Sequence, residues 1–298
     1  MRATKSGATV AALLLASITF LQSSALASEP VSFNSGSVPP TPFKVKQAKK
    51  QGIELKAEPG IPLTGRLSKP AGDGPFPAVV LLHGCRGMRP FQDAWAAKLT
   101  EWGYVALQVD SFGPRDITEI CTDFQQAYWH GVLGGQTTDA FGALSYLGSL
   151  SFVDNDRVAT MGWGDGPLGS VVRLGSHVHF DQKFRAGIGL YPYCKPITSG
   201  DFYAPVLVLS GGKDDWYPAR YCERMAKAGV NLPVPITLKV YPHAYYGFDD
   251  FDLPEFWYYE EAQNGHKNPP GGASLGYSRD AHEDSIKQVR EFLAEHLG

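Results

Sequence analysis

Residues 162–166 read Gly-Trp-Gly-Asp-Gly and lie between a short apolar run, Val158 to Met161, and Val171-Val172, the order expected of strand, tight turn and helix. Such turns present a nucleophile when written G-x-S-x-G or G-x-C-x-G, because the sharp bend holds the central oxygen or sulfur clear of the sheet. Here the centre is Gly164, which offers no side chain. From Gly164 to Gly169 the same stretch also satisfies G-x-G-x-x-G, a spacing that can cradle a pyrophosphate. Asp165 would place negative charge against the phosphates, and the following acidic residue, Asp181, comes too early for the ribose, so no dinucleotide is expected. His177-Val178-His179 has no third ligand nearby, and neither a metal nor another cofactor is expected.

The other residues with usable chemistry fall at the ends of apolar runs. Ala78 to Leu82 is unbroken, as in a strand buried on both faces, and is followed by His83-Gly84-Cys85-Arg86-Gly87. Val105 to Val109 leads into Asp110 and Ser111, Ala186 to Leu190 into Tyr191 to Cys194, and Val206 to Leu209 into Gly211 to Asp215. Ile236 to Val240 is the last strand of this kind. Helical spacing separates them at Phe91 to Trp102, Thr138 to Leu147, Ser170 onward, Ala219 to Ala228 and Asp280 to Leu297. Ile53 to Ala57 and Leu63 to Ser68 read as an antiparallel edge. Strands alternating with helices predict an α/β domain over 51–298, with a mostly parallel central sheet and helices on both faces. In such sheets the site sits on the loops beyond the carboxyl ends of the strands.

Residues 1–27 stand outside this pattern. Arg2 and Lys5, the apolar stretch Val10 to Leu21 and Ala25-Leu26-Ala27 have the layout of an export signal cleaved near Ala27. Residues 28–50, rich in Ser, Pro, Gly and Lys, read as a linker or arm. The net charge of −3 gives no reason to expect nucleic acid or a membrane surface as partner. Four cysteines in an exported chain point to two disulfides, with three possible connectivities. All four lie in or just beyond the site loops, so Cys85 with Cys121 and Cys194 with Cys222 is the pairing expected to staple neighbouring loops.

Taken together, "PAVVLLHGCRG" (77–87), "WGYVALQVDSFGPR" (102–115), "VATMGW" (158–163), "FRAGIGLYPYC" (184–194), "VLVLSGGKDDWYPA" (206–219) and "VYPHAYYGFD" (240–249) resemble the dienelactone hydrolase family. The resemblance implies an α/β-hydrolase fold from about residue 50 onward. It also implies hydrolysis of small esters or lactones by a Cys or Ser nucleophile, an Asp and a His. Carried over, the acid position falls on Asp214, with Asp215 as its neighbour, and the oxyanion donors on the backbone N–H groups of Cys85 and Asp165. The nucleophile position falls on Gly164, and the histidine of a pattern like A-Y-H-G-F-D on Tyr246.

Acyl transfer needs a side-chain heteroatom that attacks and a base that takes its proton. Glycine supplies neither, and a phenol with the ordinary pKa of about 10 is only about one part in a thousand ionised at neutral pH. A catalytically degenerate protein that keeps a small-molecule pocket is therefore expected. The alternative is an active hydrolase with a displaced group: His243 as base, Cys85, Ser111 or Ser170 as nucleophile, or a water held by Asp214. His83, Arg86, Trp163, Trp216 and Trp257 are expected to line the pocket, for an ester, lactone or aromatic ligand. The stretch 245–280 is long for a loop in a compact domain. It holds eight aromatics from Tyr245 to Tyr259 and reads as a wall or cap over the site.

Overall fold

The computed structural model describes residues 28–37, 40, 42–123, 132–164, 182–195, 202–231, 234–269 and 271–298. Strand β3 (Phe76–Leu82) shows why the sheet must be covered on both faces: Val79 and Leu81 enter one core, and Ala78, Val80 and Leu82 enter another. Successive side chains of a strand alternate between faces, so a continuous apolar run needs helices on each. Helices α2 (Pro90–Glu101) and α5 (Arg279–Leu297) cover the first face through Trp95, Leu99, Val289 and Leu293. Helix α3 (Val132–Gly148) covers the second through Phe141, Leu144 and Leu147, and α4 (Ala219–Ala228) adds Cys222 and Met225 against Val206 and Val208.

The remaining strands are β1 (Glu29–Asn34), β2 (Pro62–Ser68), β4 (Val105–Asp110), β5 (Val153–Trp163), β6 (Ala186–Leu190), β7 (Val206–Gly211) and β8 (Ile236–Tyr241). They order as β1-β2-β4-β3-β5-β6-β7-β8. Pairing is antiparallel at β1/β2 and β2/β4 and parallel from β4 through β8. The turns after β3, β4, β5, β6, β7 and β8 therefore leave one end of the sheet, as the strand reading anticipates.

Two expectations are corrected at the amino-terminal edge. Residues 29–34, read as part of an arm, form β1, with Val31 and Phe33 on the sheet side and β2 as partner. The chain then lies across α3, where the backbone of Asn34 and Ser35 occupies the space that a side chain at Gly142 would need. Helix α1 (Pro42–Lys50) follows. Ile53 to Ala57 forms no strand, because β1 already takes the edge it would need, and Ile53 stays 53% exposed. The helix expected from Ser170 onward, His177 and His179 lie outside the described residues, as do residues 1–27.

Disulfides join Cys85 to Cys121 and Cys194 to Cys222, the pairing expected. They fit an oxidising compartment. Among the described residues no helix is long and apolar enough to cross a membrane. The long segment after β8 contains a two-stranded ribbon, β9 (Trp257–Tyr259) with β10 (Ala273–Leu275), which caps the loop end of the sheet.

Candidate functional site

Strand β5 ends at Trp163, and Gly164 turns the chain with φ +60°, a left-handed conformation that L side chains rarely adopt. Its N–H donates to the Leu190 carbonyl at 3.1 Å, and its own carbonyl accepts from the Tyr193 N–H at 3.3 Å, so the bend is fixed to the neighbouring turn. Tyr246 comes from the loop after β8 and is 5% exposed. Its ring packs on Tyr191 at 4.5 Å, Trp216 at 4.9 Å and Tyr217 at 5.7 Å between centroids. Its hydroxyl lies where a β-carbon on Gly164 would be, with its Cζ 3.0 Å from that position. The same oxygen is 3.6 Å from the place of a β-carbon on Gly84, so it occupies the crevice between the two glycine turns. A phenol therefore fills the space into which a nucleophile at 164 would project.

Asp214 is buried on the turn after β7. Its Oδ1 accepts from the N–H groups of Trp216 at 2.8 Å and Tyr217 at 2.7 Å, which orient the carboxyl group. Its Oδ2 is buried and has no hydrogen-bond partner among the described residues. Burial pushes the Asp214 pKa up to about 7, against the two N–H bonds that favour the anion. In a Ser-His-Asp arrangement the acid accepts from an imidazole N–H; here Trp216 and Tyr217, whose N–H groups it accepts from, pack against the Tyr246 ring. Asp215 is distinguished from Asp214 by its partners: it accepts from the N–H and hydroxyl of Ser274 and pairs with Lys267 at 2.9 Å, tying the cap to this turn.

The remaining expected residues are dispersed. Cys85 is bonded to Cys121 and has no thiol. His243 is exposed on the turn before Ala244. The Ser111 N–H donates to His83 Nε2 at 3.1 Å, and its carbonyl accepts from Arg115, which clasps Asp139 through two bonds of 2.8 Å. With Nδ1 against the Gly84 carbonyl at 2.9 Å and Nε2 accepting, His83 is held neutral, and burial lowers its pKa. It is a strut between two turns, 2% exposed, rather than a wall of the cavity described below. Asp165 and Ser170 lie outside the described residues, as does most of the G-x-G-x-x-G stretch.

One residue whose role sequence reasoning missed organises the centre. Asp249 is fully buried and accepts from Trp95 Nε1 at 2.8 Å, Trp163 Nε1 at 2.9 Å and the Tyr191 hydroxyl at 2.8 Å. It thereby fixes Trp163 beside the glycine turn and Tyr191 against Tyr246. An aspartate inside Tyr-Gly-Phe-Asp-Asp was the available signal, but its three donors come from three separate elements. Arg86 pairs with Asp250 at 3.2 Å and lies 5.7 Å over the Trp257 ring, which itself stacks on Tyr259 at 4.6 Å.

Beyond Tyr246, toward the cap, lies an open cavity of about 680 Å³. Trp216, Tyr217 and Tyr193 line it on the sheet side, and Glu260, Glu261 and His266 on the cap side. The Trp216 indole donates to the Gln263 carbonyl at 3.3 Å, and the Gln263 N–H to the Cys121 carbonyl at 2.8 Å, so cap and loops are joined around the opening. Among the described residues no group of three or more His, Cys, Asp or Glu could hold a metal ion.

A largely parallel, doubly covered sheet with acid, glycine bend and cap gathered at its carboxyl end defines an α/β-hydrolase fold. The chain belongs to the dienelactone hydrolase family, whose model matches residues 63–297. A curated relative from Methylorubrum extorquens, named "Putative carboxymethylenebutenolidase", is 23% identical over 232 residues, covering 72% of this chain and 77% of that protein. Among solved structures, a dienelactone hydrolase-like promiscuous phosphotriesterase from metagenomic libraries superposes with a TM-score of 0.64 at 19% identity, covering 91% of this chain and 100% of that one. A dienelactone hydrolase from Anabaena variabilis gives a TM-score of 0.59 at 16% identity, with 91% and 100% covered. At these identities the two structures support the fold alone.

Proposed function

We propose that this chain is an exported, catalytically degenerate member of its family that retains a small-molecule pocket. One observation carries the reading: the Tyr246 hydroxyl takes up the space of a side chain at 164. Covalent acyl transfer then lacks its attacking atom. It also lacks an imidazole at the acid, since position 246 is a tyrosine, His243 is exposed, and Asp214 Oδ2 has no partner among the described residues. The pocket survives because Trp216 and Tyr217 pack against the Tyr246 ring and line the cavity on their other side.

The test is turnover of short-chain aryl esters and lactones by the wild-type chain beside a Gly164→Ser/Tyr246→His variant. No burst and no turnover are expected from the wild type. Wild-type activity within about tenfold of an ordinary esterase would overturn the reading, as would an organophosphate adduct on any of its residues. One observation favours the rival, direct attack by a water held on Asp214: the buried Oδ2 has no partner among the described residues. That rival requires Asp214→Asn to abolish a measurable wild-type rate. Export is tested separately, by finding the mature amino terminus at Ser28 in the extracytoplasmic fraction; a cytoplasmic chain retaining Met1 would refute it.

A further inference from the structure

Basic side chains gather around one ring beside the cavity, and Lys195 among them lines it. The ring of Tyr221, on α4, has Arg220 at 4.7 Å, Arg224 at 5.0 Å and Lys195 at 5.8 Å from its centroid. His266 stacks on the same ring at 5.0 Å and brings Nδ1 to 3.4 Å from the Tyr221 hydroxyl. None of the three cations has a carboxylate within salt-bridge distance among the described residues, although the chain as a whole is acidic. Three cations gathered around one ring repel one another, and a bound anion would relieve the repulsion.

The neighbouring groups register the same field. The hydrogen bond from Arg220 and the charges of Arg220, Lys195 and Arg224 hold the Tyr221 phenol below its ordinary value. Burial, then Lys195 and Arg220, lower the His266 pKa. The Cys194–Cys222 disulfide joins the backbone next to Lys195 to the helix that carries Arg220, Tyr221 and Arg224.

Lys195 and His266 face into the cavity whose wall is Tyr193, Trp216 and Tyr217. Tyr193 lies 5.0 Å from Tyr217 and 6.2 Å from His266 between centroids, so the aromatic wall runs directly into the basic rim. We propose that this cavity binds an aromatic carboxylate, its ring against Trp216 and Tyr217 and its anion at Lys195 and His266. The volume suits one drug-sized ring system. Glu260 and Glu261 line the cap side of the same cavity and repel any anion there, so the carboxylate must sit at the Lys195 and His266 end, and a doubly charged phosphate monoester is disfavoured more than a monoanion. This assignment rests on the reading above that the pocket is retained, and it names the ligand's class.

Calorimetric titration of the oxidised mature chain tests it, with 1-naphthoate, 1-naphthamide, 1-naphthyl phosphate and 1-naphthylmethylammonium as probes. Naphthoate is expected to bind at least about tenfold more tightly than the amide, because a charge-assisted contact is stronger than a neutral one. The margin should shrink with salt. Lys195→Ala, at an exposed position where the fold is not at risk, should remove most of the margin while leaving amide affinity unchanged. Arg220→Ala should reduce it in part. Equal binding of acid and amide, tighter binding of the phosphate or the ammonium, or no binding of any probe would each overturn the proposal. Ester turnover would sink the degenerate reading alone, since naphthoate is not hydrolysable and its charge preference would still be measured.

Discussion

The phenolic oxygen of Tyr246 and the bare α-carbon of Gly164 share one small space. A side chain can be added at 164 with tolerable consequences only if Tyr246 changes too. Gly164→Ser alone must displace the Tyr246 ring from its contacts with Tyr191 and Trp216, and it must also hold a β-carbon at φ +60°. A loss of about 1–3 kcal/mol is expected from the overpacking. In a Tyr246→His background the hydroxyl is gone and the loss should be smaller, giving a coupling of about 1 kcal/mol in a double-mutant cycle. Urea midpoints of the four proteins measure it, and additivity would show that the two sites do not compete for space.

Asp214 should make stability pH-dependent with a definite sign. Unfolded, the group ionises near about 3.9; folded, near about 7. Between those values the native chain keeps a proton that the unfolded chain has lost. The stabilisation is therefore complete below about pH 4 and is lost as pH rises through 7. Asp214→Asn, which imitates the protonated acid, should match wild type at pH 4. It should exceed wild type at pH 8, by no more than about 4 kcal/mol at about 1.4 kcal/mol per unit. Denaturation at the two pH values decides; a constant difference would refute it.

Removal of the Asp249 carboxylate should be far worse than its neutralisation. Asp249→Ala leaves the Trp95 and Trp163 indoles and the Tyr191 hydroxyl unbonded in the core, at about 3 kcal/mol or more. In Asp249→Asn the amide oxygen can still accept from both indoles, and the Tyr191 hydroxyl can turn to accept from the amide nitrogen. A loss of about 1 kcal/mol is expected there. Denaturant midpoints and tryptophan fluorescence should rank the variants in that order; equal losses would mean that the negative charge itself is essential.

The Cys194–Cys222 bridge closes a loop with a sequence separation of 28. Replacing both cysteines by serine should cost about 3–4 kcal/mol by the chain-entropy account. The Lys195 segment is then freed from α4, so naphthoate should lose more affinity than naphthamide at a temperature where both proteins remain folded. Parallel losses for the two probes would separate the bridge's effect on stability from any effect on the basic rim.

Most of the architecture was legible in local pattern. The run Ala78 to Leu82 read as a strand buried on both faces and is one, and α4 occupies the span Ala219 to Ala228 read from its spacing. Edges were less legible. Glu29 to Asn34 alternates as a strand should, yet it becomes one only because β2 offers an open edge, while Ile53 to Ala57 finds none. His83 looked available beside a glycine turn, and burial between two turns makes it a strut.

Sequence alone determined that residue 164 has no side chain and that 246 is not a histidine, since residue identity needs no coordinates. It also determined the alternation of strands β2 to β8 with helices α2, α3, α4 and α5, because side-chain periodicity is local. Only the tertiary structure decided that the second residue fills the space left by the first, that Asp214 keeps a buried oxygen without a partner among the described residues, and that Asp249 gathers three donors. Those relations join segments far apart in the chain, and they exist only once packing brings the turns to one end of the sheet.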